Sequence, residues 1–222
     1  MPQSLARRRV VRPPRSAAPS EGATRCTVSL PLQRAQLPPV PSTLLIPLAA
    51  RAHGGRYFPW LDCRDAVAPA LLARLDADVN GTLDDLHTVL HVLWRTRAIQ
   101  EAGRAFFAEH PQALGVNLGC GLTHYFQWLD GGANQWLDAD LPEVMALRRP
   151  LLPPPCPRTR HADLDLSQPG WWQRLGLPTQ HSATPVLLVC EGVLMYLPPA
   201  QVHAVLAEFA QHAPPGSRMV LD

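Results

Sequence analysis

At 222 residues, with 46% hydrophobic and 17% charged residues, the chain has enough apolar side chains for one sizeable core, which excludes wholesale disorder. No apolar run approaches the roughly 18 residues of a helical membrane span, so no membrane partner is expected. The net charge of +2 hides an asymmetry: residues 1–41 hold seven arginines against Glu21 alone, a surplus of +6, leaving −4 for the remainder. A mildly acidic body offers no stripe for neutralising phosphates, and no nucleic-acid partner is expected either.

Residues 1–41 contain eight prolines and the cluster Arg7, Arg8, Arg9, Arg12 and Arg15, without apolar periodicity. This predicts a disordered tail, because too little surface can be buried to offset the entropy of ordering it. The N-terminus lacks the apolar stretch and cleavage site of a secretory signal, and the chain is read as cytoplasmic. Its five cysteines lie more than thirty residues apart, with no C-x-x-C and no Cys/His spacing suited to zinc, so no metal is expected.

From Ser42 the pattern turns helical. A short helix opens there, a second is predicted over residues 66–76, and a long third over 83–110. In the third, Leu83, Leu86, Leu90, Leu93 and Trp94 recur at helical spacing behind Asn80-Gly81-Thr82 as turn and cap. Residues 42–111 are thus read as an N-terminal helical cap. From residue 112 to 222 strand and helix signals alternate. Strands are predicted at 114–118, 135–137, around 161–163, 186–190 and 217–221, and helices at 142–149, 171–175 and 199–212. Such alternation predicts an α/β fold, a parallel sheet with helices on both faces that binds ligands beyond the carboxyl ends of its strands.

Asn117-Leu118-Gly119-Cys120-Gly121 ends the first of these strands, and its glycines allow the backbone to approach a ligand closely. A dinucleotide fingerprint wants another glycine three residues after the second, where His124 stands, which weakens a pyrophosphate site. Asp140, about twenty residues on at the end of the second strand, is placed to accept from two ribose hydroxyls. A nucleoside without pyrophosphate points to S-adenosylmethionine. Asp163 sits where an adenine amino group would be read, with Leu164 to pack on the base, and Glu191 emerges from a buried strand at the same edge. Structural alternatives stand beside these readings: Asp140 as a cap for a helix at Pro142, and Asp163 or Asp165 as a cap for the next one. His87 and His91, at i and i+4 without a third ligand, read as helix surface, and Trp171-Trp172 as a helix packing on the sheet.

Four stretches, Thr43-Leu-Leu-Ile-Pro-Leu-Ala-Ala-Arg51-Ala, Val116-Asn-Leu-Gly-Cys-Gly-Leu122, Trp136-Leu-Asp-Ala-Asp-Leu-Pro-Glu-Val144 and Glu191-Gly-Val-Leu-Met-Tyr-Leu197, occur in this order. Together they resemble the leucine carboxyl methyltransferase family, particularly its bacterial branch similar to the tetracenomycin polyketide O-methyltransferase, over residues 42–222. The resemblance implies a class I, Rossmann-like methyltransferase fold with S-adenosyl-L-methionine as cofactor. It implies Gly119 and Gly121 against that cofactor, Asp140 on the ribose, Asp163 and Leu164 at the adenine, and Glu191 beside the methionine portion. Arg95 matches the arginine that holds the cofactor carboxylate, with Arg97 as the alternative in a shifted register, and Arg51 matches a basic residue of the N-terminal helices.

The activity so implied is O-methylation of a carboxylate or phenolic hydroxyl on a small-molecule acceptor. A carboxylate needs alignment only, whereas a phenol needs a base, for which His124 and Tyr196 are the nearest candidates, and no catalytic residue is assigned. Methylation of a protein C-terminal carboxylate and a non-catalytic remnant of the fold are the alternatives. The chain departs from the branch at Thr123-His124-Tyr125, where Asp-Thr-Arg is usual, and at Gln100, where aspartate is usual. Family members also continue into a closing pair of strands, absent from a sequence ending at Asp222. Part of the acceptor wall is therefore expected to be missing, with self-association through an exposed fifth strand.

Overall fold

The computed structural model describes residues 42–75 and 79–222, so the predicted tail of residues 1–41 lies outside the described residues. The chain opens with three helices, α1 (Ser42–His53), α2 (Ala68–Leu75) and α3 (Leu86–Glu109). Helix α2 starts at Ala68 because the Asp65 carboxylate accepts the N–H groups of Val67 and Ala68, each at 2.9 Å, and so satisfies donors of its first turn. Helix α3 starts later than its apolar pattern predicts. Residues Asn80–Leu83 close a 3-10 turn, and Asp85 caps the helix by accepting from His87 N–H at 3.1 Å and Thr88 N–H at 3.3 Å. The buried stripe of α3 also differs from the predicted one, running through Val89, Val92, Leu93, Ile99, Phe106 and Phe107. Leu86 and Trp94 are 44% and 65% exposed. Two apolar stripes compete on this helix, and the sheet and α1 cover only one.

The remaining elements are β1 (Leu114–Leu118), α4 (Phe126–Leu129), β2 (Gln135–Asp140), α5 (Pro142–Leu151), β3 (Thr159–Asp163), α6 (Trp171–Arg174), β4 (Val186–Cys190), α7 (Pro199–His212) and β5 (Arg218–Leu221). All strand pairs are parallel, in the order β3-β2-β1-β4-β5. The chain builds outward from β1 to β3 and then returns to β4 on the other side of β1. That reversal opens a crevice at the carboxyl ends of β1 and β4.

Both faces are covered, which is why β1 and β4 are buried throughout. Val116, Leu137 and Leu188 pack with Trp171 and Trp172 of α6 and Val205 of α7. As the sequence predicts, the paired tryptophans serve packing, with Trp172 edge-to-face against Phe209 at 5.9 Å. On the other face, Trp136, Leu187 and Val189 pack against Phe106 and Phe107 of α3. Helix α3 therefore joins the cap to the sheet, while α1, α2 and α5 share a further core around Leu48, Leu71 and Leu151. Among the described residues, no helix is long and apolar enough to cross a membrane.

Gly115 on β1 packs closely under Trp136 of the neighbouring strand β2. A Cβ there would lie 2.2 Å from Cε3 of Trp136, whose indole N–H is fixed on the Asp138 carboxylate at 2.9 Å. Gly115→Ala should cost about 1–3 kcal/mol by overpacking, read as a lower denaturation midpoint, and an unchanged midpoint would show that the ring gives way freely.

Candidate active site

A cavity of about 460 Å³ opens at the carboxyl ends of β1 and β4. Its floor is the turn Gly119–Gly121, and its walls come from α1, the first turns of α3 and the loop after β4. Of the residues singled out in the sequence, Arg51, Arg95, Gly119, Gly121 and Glu191 line it together. Asp140, Asp163 and Leu164 are placed along the adjoining strand ends, with Asp140 and Asp163 in register on β2 and β3.

Gly119 and Gly121 both hold positive φ, 62° and 47°, the left-handed region that turns the chain sharply out of β1. Asp140 stitches this turn to β2, since its Oδ2 accepts from Gly121 N–H and its Oδ1 from Leu141 N–H, both at 2.7 Å. Burial raises its pKa against the lowering effect of those two donors. It does not cap α5, which has Leu141 in that position and Pro142 in its first turn. Asp163 is exposed and pairs with Arg149 at 2.5 Å. Leu164 is buried, its N–H donating to the Asp140 carbonyl at 2.7 Å, and Asp165 caps its own turn at Ser167 N–H.

Beneath the turn lies a buried ion pair that sequence reasoning passed over. Nη1 of Arg148, a fully buried side chain on α5, donates to the carbonyls of Gly121 and Thr123 at 2.8 Å, and its Nη2 donates to Asp138 Oδ2 at 2.7 Å. Asp138 also accepts from Trp136 Nε1 and Asn117 Nδ2. Burial alone would raise the Asp138 pKa, yet the adjacent Arg148 guanidinium, then His124 and the Trp136 indole, hold it below the usual carboxylate value. The signal available in the sequence was an arginine following the apolar Met145 and Leu147 of α5.

Two arginines flank the cavity in different states. Arg95 is engaged, its Nε on Glu191 Oε1 at 2.8 Å and its Nη1 on Asp222 Oδ2 at 3.0 Å. Glu191 Oε2 accepts from Tyr125 Oη at 2.5 Å, so one of the family departures supplies a buried phenol to this carboxylate. The other departure, Gln100, is buried and donates to the Cys63 carbonyl at 3.2 Å. Arg51 is 3% exposed, with Nε on Asp65 Oδ2 at 3.0 Å, while its Nη1 is buried without a hydrogen-bond partner.

His87 and His91, expected on a plain helix surface, line the cavity because α1 folds beside this face of α3. Of the two candidate bases, Tyr196 is on the cavity wall and His124 is not. Burial pushes the His124 pKa down to about 4 and lowers that of His161 also. Between pH 4 and the ordinary 6.5 the unfolded chain therefore binds more protons than the folded one, and stability falls with acidification across that window. His124→Gln should flatten this fall by about 1–3 kcal/mol in denaturation midpoints measured against pH, and an unaltered profile would remove His124 as a cause.

Comparison with known proteins places this geometry in a family. The family model described as leucine carboxyl methyltransferase matches residues 50–210. The tetracenomycin polyketide synthesis O-methyltransferase TcmP of Streptomyces glaucescens is 32% identical over 181 residues, 81% of this chain and 64% of that protein. The S-adenosyl-L-methionine-dependent methyltransferase dpfgK of Gibberella zeae is 29% identical over 128 residues, 54% of this chain and 42% of that one. The chain thus spans less than two thirds of the length of these curated relatives. Among solved structures, a DUF574 family protein from Streptomyces avermitilis shares the fold with a TM-score of 0.52 at 16% identity, over 79% of this chain and 70% of the other. The architecture is accordingly the α/β class I methyltransferase-like fold implied by the sequence motifs. By the extent of the model match and the identity over four fifths of its length, the chain belongs to the leucine carboxyl methyltransferase family.

Proposed function

We propose that this chain carries the cofactor-binding part of an S-adenosylmethionine-dependent O-methyltransferase, acting on a carboxylate or phenolic hydroxyl of a small metabolite. The observation that carries the reading is the cavity at the β1–β4 crevice, which pairs a glycine turn with a buried arginine whose Nη1 has no partner. A buried guanidinium N–H left unpaired is costly, and an anionic group entering the cavity satisfies it. The carboxylate of the methionine portion has that chemistry, and Arg51 would hold it in place of Arg95, whose Nε and Nη1 are already engaged by Glu191 and Asp222. The O-methyltransferase and S-adenosylmethionine-dependent descriptions of the two relatives support the same chemistry.

When bound, the cofactor supplies an electrophilic methyl group on a sulfonium. Gly119 and Gly121, on the cavity floor, would lie against it, and the free lone pairs of Asp140 would accept ribose hydroxyls. Asp163 and Leu164, next along the same edge, would flank the adenine. Arg95, held by Glu191 and Asp222, lines the same cavity. A carboxylate acceptor arrives ionised and requires no base. A phenolic acceptor would have to lose its proton to solvent, with Tyr196 on the cavity wall as a hydrogen-bond partner.

Calorimetry with S-adenosylhomocysteine tests the reading. Saturable binding is expected, weakened about tenfold or more by Arg51→Met through loss of a charge-assisted hydrogen bond. Absence of binding to the wild-type chain, or tighter binding of NAD(H), would overturn it.

A further inference from the structure

A second concavity, a groove of about 530 Å³, lies between α3, the segment 59–64 and Trp128. Arg97 follows Arg95 by two residues, which turns it to nearly the opposite side of α3 from the cavity. Arg104 lies two helical turns further along the same face, and Arg64 enters from the facing segment. Three arginines therefore line one groove. Arg97 has a long contact with Glu101 at 3.4 Å, whereas the Arg64 and Arg104 guanidinium groups have no ion-pair partner among the described residues. The groove's single lining carboxylate, Asp62, has Oδ1 engaged by the Arg64 N–H at 2.9 Å. Trp60, 73% exposed, and Trp128 supply flat apolar walls.

The backbone at Arg64 adds a second, independent observation. Its φ is +51°, and it is the one non-glycine residue with positive φ among the described residues. Its N–H is held by Asp62 and its carbonyl by the Trp128 indole at 3.3 Å. Glycine would adopt this conformation without strain, so the arginine side chain is kept at the expense of stability. Backbone strain of this kind clusters at ligand-binding positions.

We propose that this groove binds an aryl phosphate, a phosphate group joined to a flat aromatic ring, with the oxyanion among Arg64, Arg97 and Arg104 and the ring against Trp60. Guanidinium forks match phosphate oxygens bidentately, and indole faces stack on aromatic rings. The site is separate from the methyl-transfer cavity and stands whether or not that reading holds.

Fluorescence or calorimetric titration of the full chain with 1-naphthyl phosphate, pyrophosphate and 1-naphthol tests it. We expect 1-naphthyl phosphate to bind tightest, with Arg64→Gly and Arg104→Ala each weakening it about tenfold. Trp60→Ala should erase its advantage over pyrophosphate. Arg64→Gly should meanwhile keep or raise the denaturation midpoint, and Arg104→Ala should leave S-adenosylhomocysteine affinity unchanged, which separates lost binding from lost folding. Undiminished binding in both arginine variants, or no saturable binding at millimolar 1-naphthyl phosphate, would overturn the proposal. Equal affinity for 1-naphthol would overturn it too, by reducing the groove to an apolar surface.

Discussion

Arg148→Met should lower the unfolding free energy by about 3–5 kcal/mol, because removing one partner of a buried ion pair strands the other without a counter-charge. The stranded group is Asp138, and the carbonyls of Gly121 and Thr123 lose their donor in the same step. Since Arg148 holds the turn that floors the cavity, S-adenosylhomocysteine affinity should fall with stability. Denaturant unfolding reads the first effect and calorimetry the second. Replacing both partners, Arg148→Met with Asp138→Leu, should recover part of the stability, as apolar side chains remove the need to solvate either charge. A loss below about 1 kcal/mol in the single variant would show that water reaches Asp138 and that the pair is not a clamp. The wild-type chain should also keep the contribution of Asp138 until pH falls below the ordinary carboxylate range. A depressed folded pKa is a stabilisation present at higher pH and lost only as the folded carboxylate protonates.

Gly119→Ala combines two penalties at one atom. The residue has φ +62°, a left-handed backbone that costs a non-glycine residue about 1–2 kcal/mol. A Cβ there would also lie 2.2 Å from Cγ2 of Val193, an overpacking penalty of about 1–3 kcal/mol. The expected loss is therefore about 2–5 kcal/mol, and pressure on Val193 would displace the loop that begins at Glu191. Trimming the obstacle with Val193→Ala should relieve the clash and leave the strain, so the double variant should sit between the wild type and Gly119→Ala. Purely additive losses across the three variants would refute the contact, since residues in direct contact couple.

How much of this was legible in advance depends on the range of the interactions involved. Strands at 114–118 and 186–190 and the helix at 199–212 were found at their observed bounds, since an apolar run or a 3.6-residue period is a local property. The start of α3 was misplaced because a cap is decided by which side-chain oxygen reaches which N–H, and Asp85 reaches two of them. Asp140 was singled out from its spacing after Gly121, but its grip on the Gly121 N–H needed the two strand ends side by side.

The sequence by itself determined the alternating architecture, the glycine turn, the family and the set of charged residues gathered at one sheet edge. Only the tertiary structure decided which charges pair. Arg51 with Asp65, Arg95 with Glu191 and Tyr125 with Glu191 are separated by 14, 96 and 66 residues. It also set α1 beside the exposed face of α3 that carries His87 and His91, so that this surface borders a cavity, and left Trp94 in solvent. The physical reason is common to all of these. Periodicity and turn chemistry act between neighbours in the chain, whereas ion pairing and burial depend on ångström distances that exist only after the sheet has brought remote segments together.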